Sequence, residues 1–173
     1  IPSHSKYTIE SKSMKLFLNS FFDKTYSKQA EVINILTERI SKKCNSEVKI
    51  VVKTSFKTFN SVKFMNKSGL LVYEGIRSIC PVNSQPDWGN IYLYSSTNTL
   101  NKKEIFDFLF SLRNHGGFHE HCIEKTFLYV KETFSVDHLE ICGRFFRRGG
   151  IDINPIRSTQ KKLFFENFRE FNQ

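Results

Sequence analysis

One order of elements occurs twice in this chain, in a single register. Sliding the first half forward by the offset between Ser20 and Ser111 lays Ser20-Phe21 on Ser111-Leu112. The break at residues 23–26 then falls on 114–117, Val32 on Ile123, Ile40 on Lys131, and VKIVV at 48–52 on LEICG at 139–143. No gap is needed. Two helices, a turn between them and a strand thus recur, which points to two related modules rather than one irregular domain.

Periodicity supplies the elements. SKSMKLFLNSFF, residues 11–22, reads as a helix with Leu16, Phe17 and Phe21 on adjacent turns. Residues 27–43 read as a second helix, with Val32, Ile35, Leu36 and Ile40 at helical spacing and Ser27 able to cap its start. EVKIVVKTSF, residues 47–56, is β-branched and alternating, and predicts a strand. After a polar, Lys-rich stretch come strands over 70–79 and 88–95, helices over 101–113 and 118–134 broken by NHGG, and a strand over 139–146. RRGGIDINP, residues 147–155, leads to an edge.

The second module therefore has two strands, two helices and two strands. The first lacks the opening hairpin, so the chain is expected to have lost an N-terminal portion; it begins at Ile1 without Met. The expected organisation is an incomplete first module over 1–60, a linker over 61–69, a complete catalytic module over 70–158 and a tail over 159–173. KKLFFENFREFNQ carries no readable motif, and its apolar residues suit a terminal helix or a subunit contact.

Composition narrows the function classes. Hydrophobic residues make up 39% of the 173, 18 of them Phe, enough for a packed core. Lys and Arg number 26 against 17 Asp and Glu, a net charge of +9, which suits anionic partners or cofactors without requiring them. Cys44, Cys80, Cys122 and Cys142 form no CxxC pair, and no Cys/His cluster has zinc-finger spacing, so no metal is expected. No apolar run approaches a membrane span and no signal peptide is visible, so a reduced, cytoplasmic setting fits.

Four segments carry chemistry. In CPVNSQPDWG, residues 80–89, Cys80 ends a strand before Pro81, which holds an extended backbone, and Gln85-Pro86 turns the chain to Asp87. A thiol and a carboxylate on two arms of a stiff loop can face one space, one as nucleophile and the other handling a proton; a buried, inert Cys is the plain alternative. In RNHGGFHEHCIEKTF, residues 113–127, His119 shares a helical stripe with Ile123, Phe127 and Val130, and Glu120 lies in the first helical turn. There the helix dipole favours a carboxylate for structural reasons alone, yet a His-Glu pair can also grip a ligand with donors and acceptors. FFRRGGIDINP, residues 145–155, sets two arginines before two glycines, a phosphate-suited backbone or a solvated turn. ESKSMK, residues 10–15, reads by itself as a capping motif with two solvated lysines.

Taken together, ESKSMKLFLNSF, CPVNSQPDWG, LRNHGGFHEHCIE and FFRRGGIDINPIRS resemble the QueF family, the NADPH-dependent 7-cyano-7-deazaguanine reductases of queuosine biosynthesis. ESKSMK precedes the Cys loop, which resembles the two-module branch. The resemblance implies an α+β tunnelling fold: an antiparallel sheet with a helix pair on one face, in two tandem modules with the first incomplete. It implies Cys80 as the nucleophile that forms a thioimide with the nitrile, and Asp87 as proton donor. Ile9, Glu10, Ser11, His119 and Glu120 match substrate-binding positions, and Ser11, Lys12, Arg148 and Gly149 match NADPH-contacting ones. It also implies a homodimer with a small-molecule substrate and no direct nucleic-acid partner. Two other readings stay open: a non-catalytic relative that binds a purine-like base or RNA, and a metal-dependent cyclohydrolase-like enzyme of the same superfamily.

Overall fold

Alternation builds the sheet of the second half. In a computed structural model of the chain, which describes residues 1–55, 57–58, 68–97, 100–171 and 173, two ten-residue strands pair antiparallel. They are β2 (Leu70–Ile79) and β3 (Pro86–Ser95). β4 (Leu139–Phe145) and β5 (Ile156–Ser158) extend the sheet in the order β2-β3-β4-β5. Every residue of β4 is buried, because both faces of the sheet are covered.

One face carries α3 (Lys102–Ser111) and α4 (His119–Phe134), joined by a 3-10 turn at Leu112–Asn114. Ile105, Leu109, Ile123, Phe127 and Val130 pack there on Ile91, Leu93, Ile141 and Phe145. Asn101 caps α3 through its side-chain oxygen, bonding Lys103 N–H and Glu104 N–H. α4 ends at Ser135 in the left-handed conformation, φ 48°. The opposite face is covered by the C-terminal segment. Phe165 and Phe168 pack with Tyr92 and Cys142, and Phe164 stacks on Tyr94 at 3.7 Å between centroids. The segment is not a helix: Glu140 accepts the N–H groups of Phe164 and Phe165, and β6 (Phe168–Arg169) pairs in parallel with β1 (Lys57–Thr58). Phe164, Phe168 and Phe171 fall at helical spacing, so the extended course is set by the strap's partners on the sheet rather than by its own period.

A bulge interrupts β2. Tyr73 pairs with Ile91 and Ile76 with Gly89, so Glu74 and Gly75 together oppose Asn90. Gly75 has φ 65°, where a glycine is favoured. The extra residue changes which positions face the helices. Leu71 and Tyr73 do so before the bulge, and Ile76 does so after it.

Contacts divide the chain into two compact units: Ile1–Ser55 with Arg148–Ile151, and Phe56–Arg147 with Asp152–Gln173. The first contains α1 (Ser11–Asn19) and α2 (Gln29–Cys44), whose Met14, Phe17, Leu36, Ile40 and Cys44 pack with Ile9, Val48 and Ile50. Two local expectations are corrected here. Ser27 does not cap α2; the N-cap is Lys28 without a side-chain bond, and the Ser27 hydroxyl reaches Glu31 instead. Residues 47–55 form no strand, because no strand among the described residues pairs with them. Val48 is nonetheless buried and Ile50 packs beside it, whereas Val51 and Val52 are both exposed, so the alternation in the sequence is only partly carried into burial. The proposed linker lies mostly outside the described residues. No helix among the described residues is long and apolar enough to cross a membrane.

Candidate active site

The Cys80 loop is a closed hairpin end. Cys80 N–H donates to the Gln85 carbonyl at 2.9 Å, and Ser84 N–H to the Cys80 carbonyl at 3.0 Å. Asn83 Oδ1 accepts from Gln85 N–H at 3.0 Å, an Asx turn that stiffens the loop. Ser84 takes φ 59°, a left-handed position uncommon outside glycine. The loop thus returns the chain from Cys80 to β3, where Asp87 lies opposite Ser78. Cys80 is 7% exposed and Asp87 3%.

A second tie brings the start of α4 to the same end of the sheet. Ile79 N–H donates to the His115 carbonyl at 3.2 Å and its carbonyl accepts from Gly117 N–H at 3.0 Å. The NHGG turn therefore docks on the free edge of β2, beside the residue that precedes Cys80. His119 follows as the first residue of α4. Its Nε2 lies 3.4 Å from Asp87 Oδ1, and its ring packs edge-on against Phe145 at 4.3 Å. Glu120, half-buried, occupies the first helical turn, where the macrodipole favours its charge. Cys122 is buried, and burial pushes its thiol up; nearby Ser78 opposes the shift and Asp87 adds to it. Ser78 and Cys122 escaped the sequence reading, since their proximity to Asp87 depends on strand register.

The remaining candidates lie in the first unit. Glu10 is the N-cap of α1, accepting from Lys12 N–H at 2.8 Å and Ser13 N–H at 2.9 Å. The Ser11 and Ser13 hydroxyls reach it at 3.3 Å. Burial pushes its carboxyl up, but these backbone and hydroxyl bonds outweigh it and hold the group below its ordinary value. Ile9, Glu10 and Ser13 line an open cleft of about 650 Å³, together with Arg39, Lys42 and Lys43. Arg148, Gly149, Gly150 and Ile151 make a tight two-residue turn, with Arg148 and Ile151 exchanging bonds of 3.0 and 3.1 Å. Gly149 and Gly150 both have positive φ, 58° and 83°. A Cβ on Gly149 would lie 2.5 Å from Lys15 Cδ, so the bare glycine admits the Lys15 side chain. Ser11 and Lys12 on α1 and Arg148 and Gly149 on the turn thus belong to one unit. Among the described residues, no group of three or more His, Cys, Asp or Glu side chains is placed to hold a metal ion.

Fold and site define a class: an α+β protein whose sheet end holds a buried thiol on a closed loop, a buried carboxylate and a His-Glu helix start. Comparison with known proteins gives the family. A family model described as "QueF-like protein" matches residues 86–163. One described as "Nitrile reductase, 7-cyano-7-deazaguanine-reductase N-term" matches residues 1–52. A Coxiella burnetii protein named NADPH-dependent 7-cyano-7-deazaguanine reductase is 31% identical over 200 aligned positions, spanning all of this chain and 72% of that one. A Legionella pneumophila protein of the same name is 33% identical over 190 positions, 93% of this chain and 67% of that one. The chain belongs to the QueF family. Among solved structures, the archaeosine synthase QueF-Like in the apo form matches 54% of this chain and 95% of that one, at 14% identity and TM-score 0.47, too slight a likeness to build on.

Proposed function

We propose that this chain is an NADPH-dependent nitrile reductase that converts 7-cyano-7-deazaguanine to 7-aminomethyl-7-deazaguanine in queuosine biosynthesis. The observation that carries the reading is the closed Cys80 loop: its bond from Cys80 N–H to the Gln85 carbonyl turns the chain from the thiol back to buried Asp87. Cys80 Sγ adds to the nitrile carbon, forming the C–S bond of a thioimide. The thiol proton ends on the nitrile nitrogen, relayed by Asp87. Buried near an apolar core, both groups act out of bulk water, which protects a hydrolysable adduct. His119 beside Asp87 orients the carboxylate and, with Glu120, offers partners for the ring N–H and amino groups of the base.

Ile9, Glu10 and Ser11 are assigned to substrate binding. Two lone-pair positions of Glu10 are taken by backbone N–H groups, while the two 3.3 Å hydroxyl contacts are long enough to exchange for a ligand donor. The residues of α1 and the 148–151 turn fit a phosphate-rich cofactor: Lys12, Lys15 and Arg148 are cationic, and Gly149 lets the Lys15 side chain lie against the turn. The first amides of α1 are spent on Glu10, so side chains and the Gly149 backbone would hold the phosphates. Nitrile to amine is a four-electron change, so NADPH, when bound, would have to supply hydride twice to the same carbon, and the C–S bond to Cys80 must break between the two reductions to return the thiol. The two units are read as tunnelling-fold modules, the first incomplete, in a cytoplasmic homodimer.

The test is intact mass after mixing with 7-cyano-7-deazaguanine without NADPH, beside Cys80→Ala. A gain of one substrate mass in the parent alone is expected. A folded parent that gains nothing would sink the reading.

A further inference from the structure

The C-terminal strap carries a buried carboxylate that the proposed chemistry does not use. Glu170 is 7% exposed, beneath the sheet face opposite the helices. Asn90 Nδ2 and the Tyr92 hydroxyl both donate to it, one to each carboxylate oxygen. With its amide nitrogen held there, Asn90 turns its Oδ1 to accept from Gly75 N–H at 3.0 Å. Gly75 is the left-handed residue of the β2 bulge, and Asn90 is the single residue opposite it.

That bond sits where the alternation of β2 changes. Beyond the bulge, Ile76 faces the helix-side core and Ser78 lies opposite Asp87 and beside Cys122. The alternation carries on to Cys80, two residues further. Were the bulge lost, each of these positions would turn to the other face. The strap is itself anchored. Gln173 Nε2 donates to the Phe145 carbonyl at 3.0 Å and to Asn154 Oδ1 at 2.7 Å, and Arg144, stacked on Phe168 at 4.4 Å, donates to the Glu166 carbonyl at 3.1 Å.

We propose that Glu170 is a positioning residue: by orienting the Asn90 amide it holds the Gly75 bulge, and so aims Ser78 and Cys80 toward Asp87. The catalytic meaning rests on the reading of Cys80 and Asp87 above, whereas the hold on the bulge does not. A carboxylate suits the task because it only accepts, so the Asn90 amide cannot flip without pointing its own oxygen at it.

The experiment compares the full chain with Glu170→Ala, Glu170→Gln and Asn90→Ala. Hydrogen exchange at Gly75 N–H is read beside single-turnover adduct formation. Glu170→Ala is expected to speed Gly75 exchange roughly tenfold while exchange in α4 is unchanged, as for local rather than global opening. The maximal rate of adduct formation should fall about tenfold or more, with substrate affinity within about twofold, the signature of a misaimed nucleophile. Glu170→Gln should restore both only in part, because its carboxamide oxygen can still accept from Asn90 while its NH2 now tolerates the flipped amide. If Glu170→Ala does not fold, Asn90→Ala decides: it removes the acceptor itself and must expose Gly75. Unchanged Gly75 exchange in the folded variants overturns the proposal whether or not the parent forms an adduct. Faster exchange with an unchanged adduct rate overturns the positioning role.

Discussion

Three of the four cysteines are unsuited to react. Cys142 is fully buried and its thiol is pushed up to about 12 by burial, Arg144 opposing and Glu140 and Glu170 adding to the shift. Burial also raises Cys44 and Cys122. Native-state alkylation near pH 8 should therefore spare Cys44, Cys122 and Cys142, and peptide mass mapping checks it. Label on Cys142 in the folded chain would contradict the packing. Asp87→Asn should keep the fold, since the side chains are isosteric, yet slow adduct formation about 10²–10⁴-fold, the usual worth of a placed proton donor; single-turnover mass kinetics read this. The glycine of PDWG has a different duty. A Cβ on Gly89 would lie 2.7 Å from the Arg144 carbonyl oxygen and 2.9 Å from Phe145 Cα, so Gly89→Ala must push β3 from β4. The expected cost is about 1–3 kcal/mol in denaturant unfolding.

At the scale of elements, α1 shows how one residue can answer two readings. ESKSMK reads as a cap and matches a family motif, and Glu10 does cap the helix. Its carboxyl is held below the ordinary value near 4.5. A depressed folded value means that the stabilisation is present above the unfolded value and is lost as pH falls through the folded one. α1 amide protection should therefore weaken on acidification below about pH 4.5 in the parent. In Glu10→Gln this pH dependence should vanish; persistence would assign the effect to another carboxylate. The segment 47–55 teaches the complementary point. Its β-branched alternation is real and buries Val48, but a strand is a property of a pair, and none of the described strands pairs with it.

For the molecule as a whole, the C-terminal strap closes the second face of the sheet. Phe168 is 2% exposed against Tyr92 and beneath Arg144. Phe168→Ala should cost about 3–5 kcal/mol, the range for a fully buried Phe. Chemical denaturation would show it, and a loss below 1 kcal/mol would mean that the strap is not part of the cooperative core. Each unit has its own core, of Ile40, Cys44 and Val48 in the first and of the sheet and its two coverings in the second.

The division between what the sequence by itself determined and what needed the tertiary structure follows the range of the forces involved. Helix spacing, strand alternation and turn residues act over a few positions, so α2, α3, α4, β2 and β4 were legible to within a residue or two. The loop that joins Cys80 to Asp87 was legible because it is short, and the place of His119 on the buried stripe of α4 because that stripe is local. Ser78, Cys122, Asn90 and Glu170 were not. Their meeting depends on the bulge at Gly75, which changes the facing of half a strand, and on a strap that returns from the far end of the chain. A one-residue change of register leaves almost no mark in composition or period. It is set by bonds between residues eighty positions apart, such as Asn90 and Glu170, and only the folded chain brings those together.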